Sequence, residues 1–309
     1  MRVLVTGATG YIGQNVALRL LADGHEVAGL ARSDAGLQAV AARGLRPVAG
    51  SLDDVAALTE AATWADAVVD TASADHAPST AALLDALADT DKVYLRTSGT
   101  GVYTDLAHGT LNPTVFTETT PHQPADVVAA RWESDQRVAD AASRGIRTVV
   151  IRPPMIYGDG ASEQIPLLIR HALVSRQSLY VGAGDNRWST VYLADLVEVY
   201  ALALTKAPAG SVFNIAGDED CLRDIAGWVA ELLDLNDGAT SVTPETAYAA
   251  FGQRWVDVAL SSNSRVDPAL AGDLLGWEPR GPSLRDELRR GSYRRLWAHK
   301  GDPHDHVSR

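Results

Sequence analysis

The chain has 309 residues, 46% of them hydrophobic and 21% charged, with 27 lysines and arginines against 39 aspartates and glutamates for a formal net charge of −12. That balance suits a folded protein of about two units with a sizeable core, and it excludes a disordered chain, a collagen-like repeat and a coiled coil. So acidic a surface repels a phosphate backbone, which argues against nucleic acid as a partner.

Short strand-like runs alternate with helical spacing through the first half. RVLVTGA (2–8) predicts a strand and 11–23 a helix; HEVAGLARS (25–33) is the next strand, followed by a helix over 35–43. LRPVAGSL (45–52), helix 53–63, DAVVDTAS (66–73), helix 79–89 and KVYLRTSG (92–99) continue the rhythm, and helix 125–144 with strand IRTVVIRPP (146–154) completes it. Runs such as VLV, AVV and TVVI are almost wholly apolar, as parallel strands covered on both faces require. The alternation implies right-handed crossovers and a doubly wound parallel α/β sheet. Beyond 154 the pattern loosens into helix 162–175, strand 178–182, segment 187–195, helix 195–205, strand 211–217 and helix 222–233, then a polar stretch around 235–246 and LLGWEP (274–279). These place a dinucleotide-binding domain at 1–154 plus about 187–217, a smaller substrate-binding lobe at 155–186 plus 218–300, and a frayed tail at 301–309.

No run approaches the roughly 20 apolar residues of a membrane helix. The opening MRVLVTGATG lacks a basic stretch and apolar signal segment, so a cytoplasmic protein without a membrane partner is expected. Cys221, the sole cysteine, excludes an intrachain disulfide. The eight histidines show no ligand spacing, and His304 and His306 fall in the polar tail, so no metal site is expected.

Thr6-Gly7-Ala8-Thr9-Gly10-Tyr11-Ile12-Gly13 lies between the first strand and the first helix. Glycines at 7, 10 and 13 permit a tight turn, close backbone approach and close helix–strand packing, and the helix start aims free N–H groups at a pyrophosphate. The end of the second strand decides which dinucleotide fits. A free ribose 2′-hydroxyl is usually held there by a carboxylate, but Leu30-Ala31-Arg32-Ser33 offers none before Asp34. Arg32 can fork onto a 2′-phosphate and Ser33 can add a hydroxyl donor, so NADP(H) is expected over NAD(H).

The TGxxGxxG turn, SGTGVY at 98–103, RPPMIYG at 152–158 and LLGWEP resemble the extended short-chain dehydrogenase/reductase superfamily, in its epimerase/dehydratase branch, over nearly all of the chain to about residue 295. The resemblance implies a Rossmann fold and puts Ser51 and Leu52 beside the adenine. It further implies that Thr71, Ala72, Ser73 and Thr97 line the cofactor, and that Pro154 and Met155 approach the nicotinamide. It also implies a homodimer through helices 79–89 and 125–144, whose apolar faces equally suit packing on the sheet.

The superfamily uses a tyrosine four residues before a lysine, the lysine lowering the tyrosine's pKa. None of the nine tyrosines here has a lysine four residues later, and only three lysines occur (Lys92, Lys206, Lys300). Alignment through Asp135-Gln136 puts Val127 at the tyrosine position and Arg131 at the lysine position, and Gly99 occupies the serine slot between Ser98 and Thr100. Ser98, Thr100, Tyr103 and Arg131 are the catalytic candidates, although arginine stays protonated at neutral pH. Trp188 is a candidate apolar wall, Arg187 an anion clamp and Tyr157 a cap on the substrate cleft. The leading expectation is an NADP(H)-dependent oxidoreductase acting on a small carbonyl, imine or activated double bond. A nucleotide-sugar epimerase or dehydratase and a non-catalytic NADP(H) sensor remain open beside it.

Overall fold

The computed structural model describes residues 1–298, so the expected tail 301–309, with His304 and His306, lies outside the described residues. The strands are β1 (Arg2–Thr6), β2 (Glu26–Ala31), β3 (Arg46–Ala49), β4 (Ala67–Asp70), β5 (Val93–Thr97), β6 (Arg147–Arg152), β7 (Met155–Tyr157), β8 (Ser178–Val181), β9 (Arg187–Tyr192), β10 (Ser211–Asn214), β11 (Asp218–Cys221) and β12 (Ala239–Val242). A seven-stranded sheet runs in the order β10-β6-β5-β4-β1-β2-β3, with every pairing parallel. The crossover helices are α1 (Tyr11–Ala22), α2 (Asp34–Ala42), α3 (Val55–Trp64), α4 (Ala77–Leu87) and α5 (Asp126–Asp140).

The apolar strand runs explain the two-sided cover. Along β1, Val3 and Val5 enter one core and Leu4 the opposite one; β4 divides likewise between Ala67 and Val69 on one face and Val68 on the other. Each fully buried aliphatic side chain contributes about 1.5–3 kcal/mol. A register slip would exchange the two sets of side chains, so the pattern specifies the pairing.

The chain leaves β1 toward β2 and β3, then returns to lay β4, β5 and β6 on the other side of β1. The strand order therefore reverses between β1 and β4, and a crevice opens beyond their carboxyl ends.

The second lobe has its own core, built on α6 (Gln164–Ser175), α8 (Leu222–Leu232) and the segments around Phe251 and Tyr293. Its sheets are β11-β9-β7 and the β12-β8 pair. The expected boundaries shift in two places. β9 opens the 187–217 segment but pairs with β7 and β11, outside the large sheet. Ala271, Leu275 and Trp277, expected in the lobe, pack on the core shared by α1 and α7 (Leu193–Lys206). The polar stretch around 235–246 holds β12 and the start of a helix, Pro244–Phe251.

Candidate active site

The Gly7 turn has the form a diphosphate cradle needs. Gly7 sits at φ +69°, and a Cβ there would lie 2.9 Å from the Ala72 backbone. A Cβ on Gly13 would stand 2.2 Å from the Gly7 carbonyl oxygen, so the first helical turn can press against the loop only without a side chain. The Gly10 amide donates to that carbonyl at 2.8 Å and closes the turn. Helix α1 has no side-chain cap and no acidic residue in its first turn. Its leading N–H groups and the positive end of its dipole therefore face the crevice without local competition. These features fit the diphosphate of a dinucleotide.

A cleft of about 600 Å³ runs from Gly10, Tyr11 and Ile12 past Thr71, Ala72 and Ser73 to Thr97, Ser98 and Pro154. The Tyr11 hydroxyl donates to the Gly158 carbonyl at 2.9 Å, pinning the cleft's lip. Thr71 Oγ1 donates to the Thr6 carbonyl at 2.7 Å, and Thr97 Oγ1 meets the Tyr200 hydroxyl at 2.7 Å, so both strand ends are fixed through their side chains. At the end of β2, Arg32 is exposed and makes no ion pair or hydrogen bond among the described residues. Ser33 caps α2 by accepting from the Gly36 amide at 3.2 Å, which leaves its hydroxyl hydrogen free to donate. Ser51 Oγ accepts from the Asp53 amide at 3.2 Å, and Leu52 packs, partly buried, against the core that contains Leu30. Thr9 lies in the turn and is exposed.

Ser98 lines the cleft, with its hydroxyl donating to Asp135 Oδ2 at 2.7 Å. Asp135 is fully buried and holds two guanidinium groups: Arg96 Nε donates to Oδ1 at 3.1 Å and Arg152 Nε to Oδ2 at 2.9 Å. Arg96 also reaches Thr80 Oγ1 at 2.9 Å and the Ala74 carbonyl at 2.6 Å, while Arg152 Nη2 is buried without a partner among the described residues. Ser98 thus turns lone pairs toward the cleft and commits its proton to a carboxylate.

Arg131, on α5, donates from Nε and Nη2 to the two carboxylate oxygens of Asp75 at 2.8 and 2.7 Å. These bonds hold the Asp75 carboxyl below its ordinary range. The Nη1 group remains beside Gly99, 3.6 Å from where a Cβ on that residue would be. The glycine in the serine slot therefore clears space in front of this guanidinium.

Five expected contacts are corrected. Thr100 is fully buried, and its Oγ1 accepts from Ser264 at 2.7 Å, away from the cleft. Tyr103 stacks on Phe116 with ring centroids 4.5 Å apart, donates to Asn214 Oδ1 at 3.1 Å and accepts from Arg152 at 2.8 Å. Burial raises its pKa, and with its proton given to Asn214 and its ring outside the cleft lining it is a packing residue. Side chains alternate along β9, so Trp188 faces the cleft while Arg187 turns out to Glu219 at 3.5 Å. The same alternation along β7 sends Met155 and Tyr157 into the second lobe's core and gives the cleft Ile156. The Tyr157 hydroxyl is spent on the Pro282 carbonyl at 2.7 Å.

Sequence reading missed Asp75, Glu163, Arg254, Trp255, Val258 and Ala259, all of which line the cleft. The last four belong to a short helix and the π-helical turn Val256–Leu260, where a five-residue repeat conceals the usual helical spacing. Val258 comes so near Gly101 that a Cβ there would sit 3.3 Å from its methyl group. The adjacent RW pair at 254–255, like that at 187–188, was the available signal.

Among the described residues there is no cluster able to hold a metal and no helix long and apolar enough to cross a membrane. Residues 3–216 match the NAD dependent epimerase/dehydratase family. An uncharacterized protein from Schizosaccharomyces pombe is 31% identical, over 95% of this chain and 100% of its own length. A 4-hydroxy-2-methyl-3-oxo-4-farnesyl-3,4-dihydroquinoline-1-oxide ketoreductase from Stigmatella aurantiaca is 31% identical over 69% of this chain and 67% of that protein. A dTDP-glucose 4,6-dehydratase structure from Streptomyces venezuelae with NAD bound has a TM-score of 0.76 at 25% identity, covering 95% of this chain and 96% of that one. With its glycine turn, seven-stranded parallel sheet and crevice at the strand reversal, the chain belongs to the NAD dependent epimerase/dehydratase family, within the extended short-chain dehydrogenase/reductase group.

Proposed function

We propose that this protein is an NADP(H)-dependent oxidoreductase that moves hydride to or from a small carbonyl, imine or activated double bond. One observation carries the reading: a diphosphate cradle, a guanidinium with an unspent Nη1 and an apolar wall of Ile156, Trp188, Trp255 and Val258 meet in one cleft. The amides at the start of α1 would hold the diphosphate, and Arg32 with Ser33 would hold the 2′-phosphate. When bound, the nicotinamide supplies or accepts the hydride. Arg131 Nη1 then serves as a fixed donor to the substrate's oxygen or nitrogen, stabilising the negative charge that develops there. Arginine cannot release its proton at neutral pH, and the Ser98 proton belongs to Asp135. Water entering the half-open cleft delivers the proton, and the apolar wall orients the substrate.

Likeness to a ketoreductase supports carbonyl chemistry. Sugar oxidation, as an epimerase or dehydratase performs it, needs a base where Val127 stands. A homodimer through α4 and α5 belongs to the same proposal, since a groove between them carries Leu84, Trp132 and Arg137; light scattering on the pure protein tests it. The test of the activity is NADPH oxidation against aldehydes, ketones, imines and enones. Turnover of at least one class is expected, and silence across the panel with normal NADPH binding would overturn the reading.

A further inference from the structure

Val127, at the family's tyrosine position, is met at its backbone carbonyl by a side chain from far along the chain. Arg254 Nη1 donates to the Val127 carbonyl at 3.2 Å, and its Nη2 donates to Asp75 Oδ2 at 3.2 Å. Asp75 thus carries two guanidinium groups, Arg131 from α5 and Arg254 from the second lobe. Two positive charges against one negative leave this three-residue cluster net positive, in a chain whose formal charge is −12. Glu163, the cleft's other acid, lies on the loop before α6 and forms no ion pair among the described residues. Donors remain on both arginines after these bonds, since Arg131 keeps Nη1 and Arg254 keeps Nε. Trp255, the next residue after Arg254, lines the cleft with Trp188, so cationic and apolar surfaces adjoin.

Resting on the oxidoreductase reading above, we propose that Arg254 is a substrate-binding residue that, with Arg131, grips a carboxylate beside the reducible carbonyl of an oxo acid whose body is apolar. The donors left over, Arg131 Nη1 and Arg254 Nε, give a carboxylate one charge-assisted bond from each cation, and the rings of Trp188 and Trp255 suit a hydrocarbon body. Arg254 sets substrate choice, and Arg131 faces the reacting oxygen.

Titration calorimetry of benzoylformate and its methyl ester into the full chain, alone and with NADP+, tests the grip. Wild type is expected to bind the acid about tenfold more tightly than the ester. Arg254→Met should bring the two within about threefold, while Arg254→Lys keeps most of the preference. The NADP+ affinity should stay unchanged in both variants, and unfolding midpoints check that both are folded. Equal binding of acid and ester by wild type overturns the proposal. Parallel loss of both ligands in Arg254→Met overturns it too, as a mere clasp between lobes would give, and so does a fall in NADP+ affinity. The two claims fail separately: if no carbonyl is reduced but the acid preference vanishes in Arg254→Met, the grip stands and the reaction falls.

Discussion

Two sets of one aspartate and two arginines flank the turn at 71–76, and they differ chiefly in access to water. In the inner set Asp135, Arg96 and Arg152 are at most 1% exposed at their side chains. In the outer set Arg131, Asp75 and Arg254 are 21%, 49% and 59% exposed. Charges removed from water must be matched by their partners, so the inner set serves as a brace. It fixes Ser98 and, through Arg96, the Ala74 carbonyl next to Asp75. The outer set is screened, weakly held and rich in spare donors, which are the properties of a ligand grip. The same two residue types make a strut in one place and the proposed binding surface in the other because the local dielectric differs.

The largest expected effect falls on the strut. Asp135→Asn strands two buried guanidinium groups and should cost about 3–5 kcal/mol in urea unfolding; a loss under about 1 kcal/mol would erase the contrast. Arg131→Met should do the reverse, lowering kcat roughly 100-fold in NADPH-oxidation kinetics with stability nearly unchanged. Arg32, with no partner among the described residues, extends the series. Arg32→Ala should weaken NADPH binding about tenfold in fluorescence titrations while leaving NADH untouched, whereas equal wild-type affinities for the two would remove the proposed preference.

The smallest effect belongs to Asp75→Asn, at most about 1 kcal/mol, because the ion pairs it breaks are solvated. The pH dependence gives this its sign. The Asp75 carboxyl is held below its ordinary value of 3.8, mainly by the Arg131 hydrogen bonds. Its contribution to stability is complete above that value and disappears as pH falls through the lowered folded value. Wild type and Asp75→Asn should therefore differ at neutral pH and converge in strong acid when melting temperatures are compared, while a constant gap would place the effect elsewhere.

Much of the Rossmann half was legible in the chain. Apolar strand runs and helical spacing are local signals, and they located β1 to β6 and α1 to α5 to within a few residues. The glycine turn was equally readable, because a positive φ at Gly7 and the absent Cβ at Gly13 are properties of single residues. The return of β10 to the sheet edge was visible in SVFNIAG. Strand parity was less so. Knowing that 187–188 and 155–157 are strands does not say which face meets the cleft, and that choice sent Arg187, Met155 and Tyr157 away and brought Trp188 and Ile156 in.

The amino-acid order alone determined the layered α/β architecture and the cradle, since both depend on periodicity and backbone freedom within a few residues. It also showed that the tyrosine and lysine were gone. Alignment put Val127 and Arg131 in those positions, and tertiary structure alone brought Asp75 and Arg254 to them. Asp75, Arg131 and Arg254 lie far apart in the chain and share no spacing, and they meet only because the second lobe folds back over α5. It likewise withdrew Tyr103 and Thr100, whose hydroxyl groups were claimed by Asn214, Arg152 and Ser264 once burial left them no water to bond.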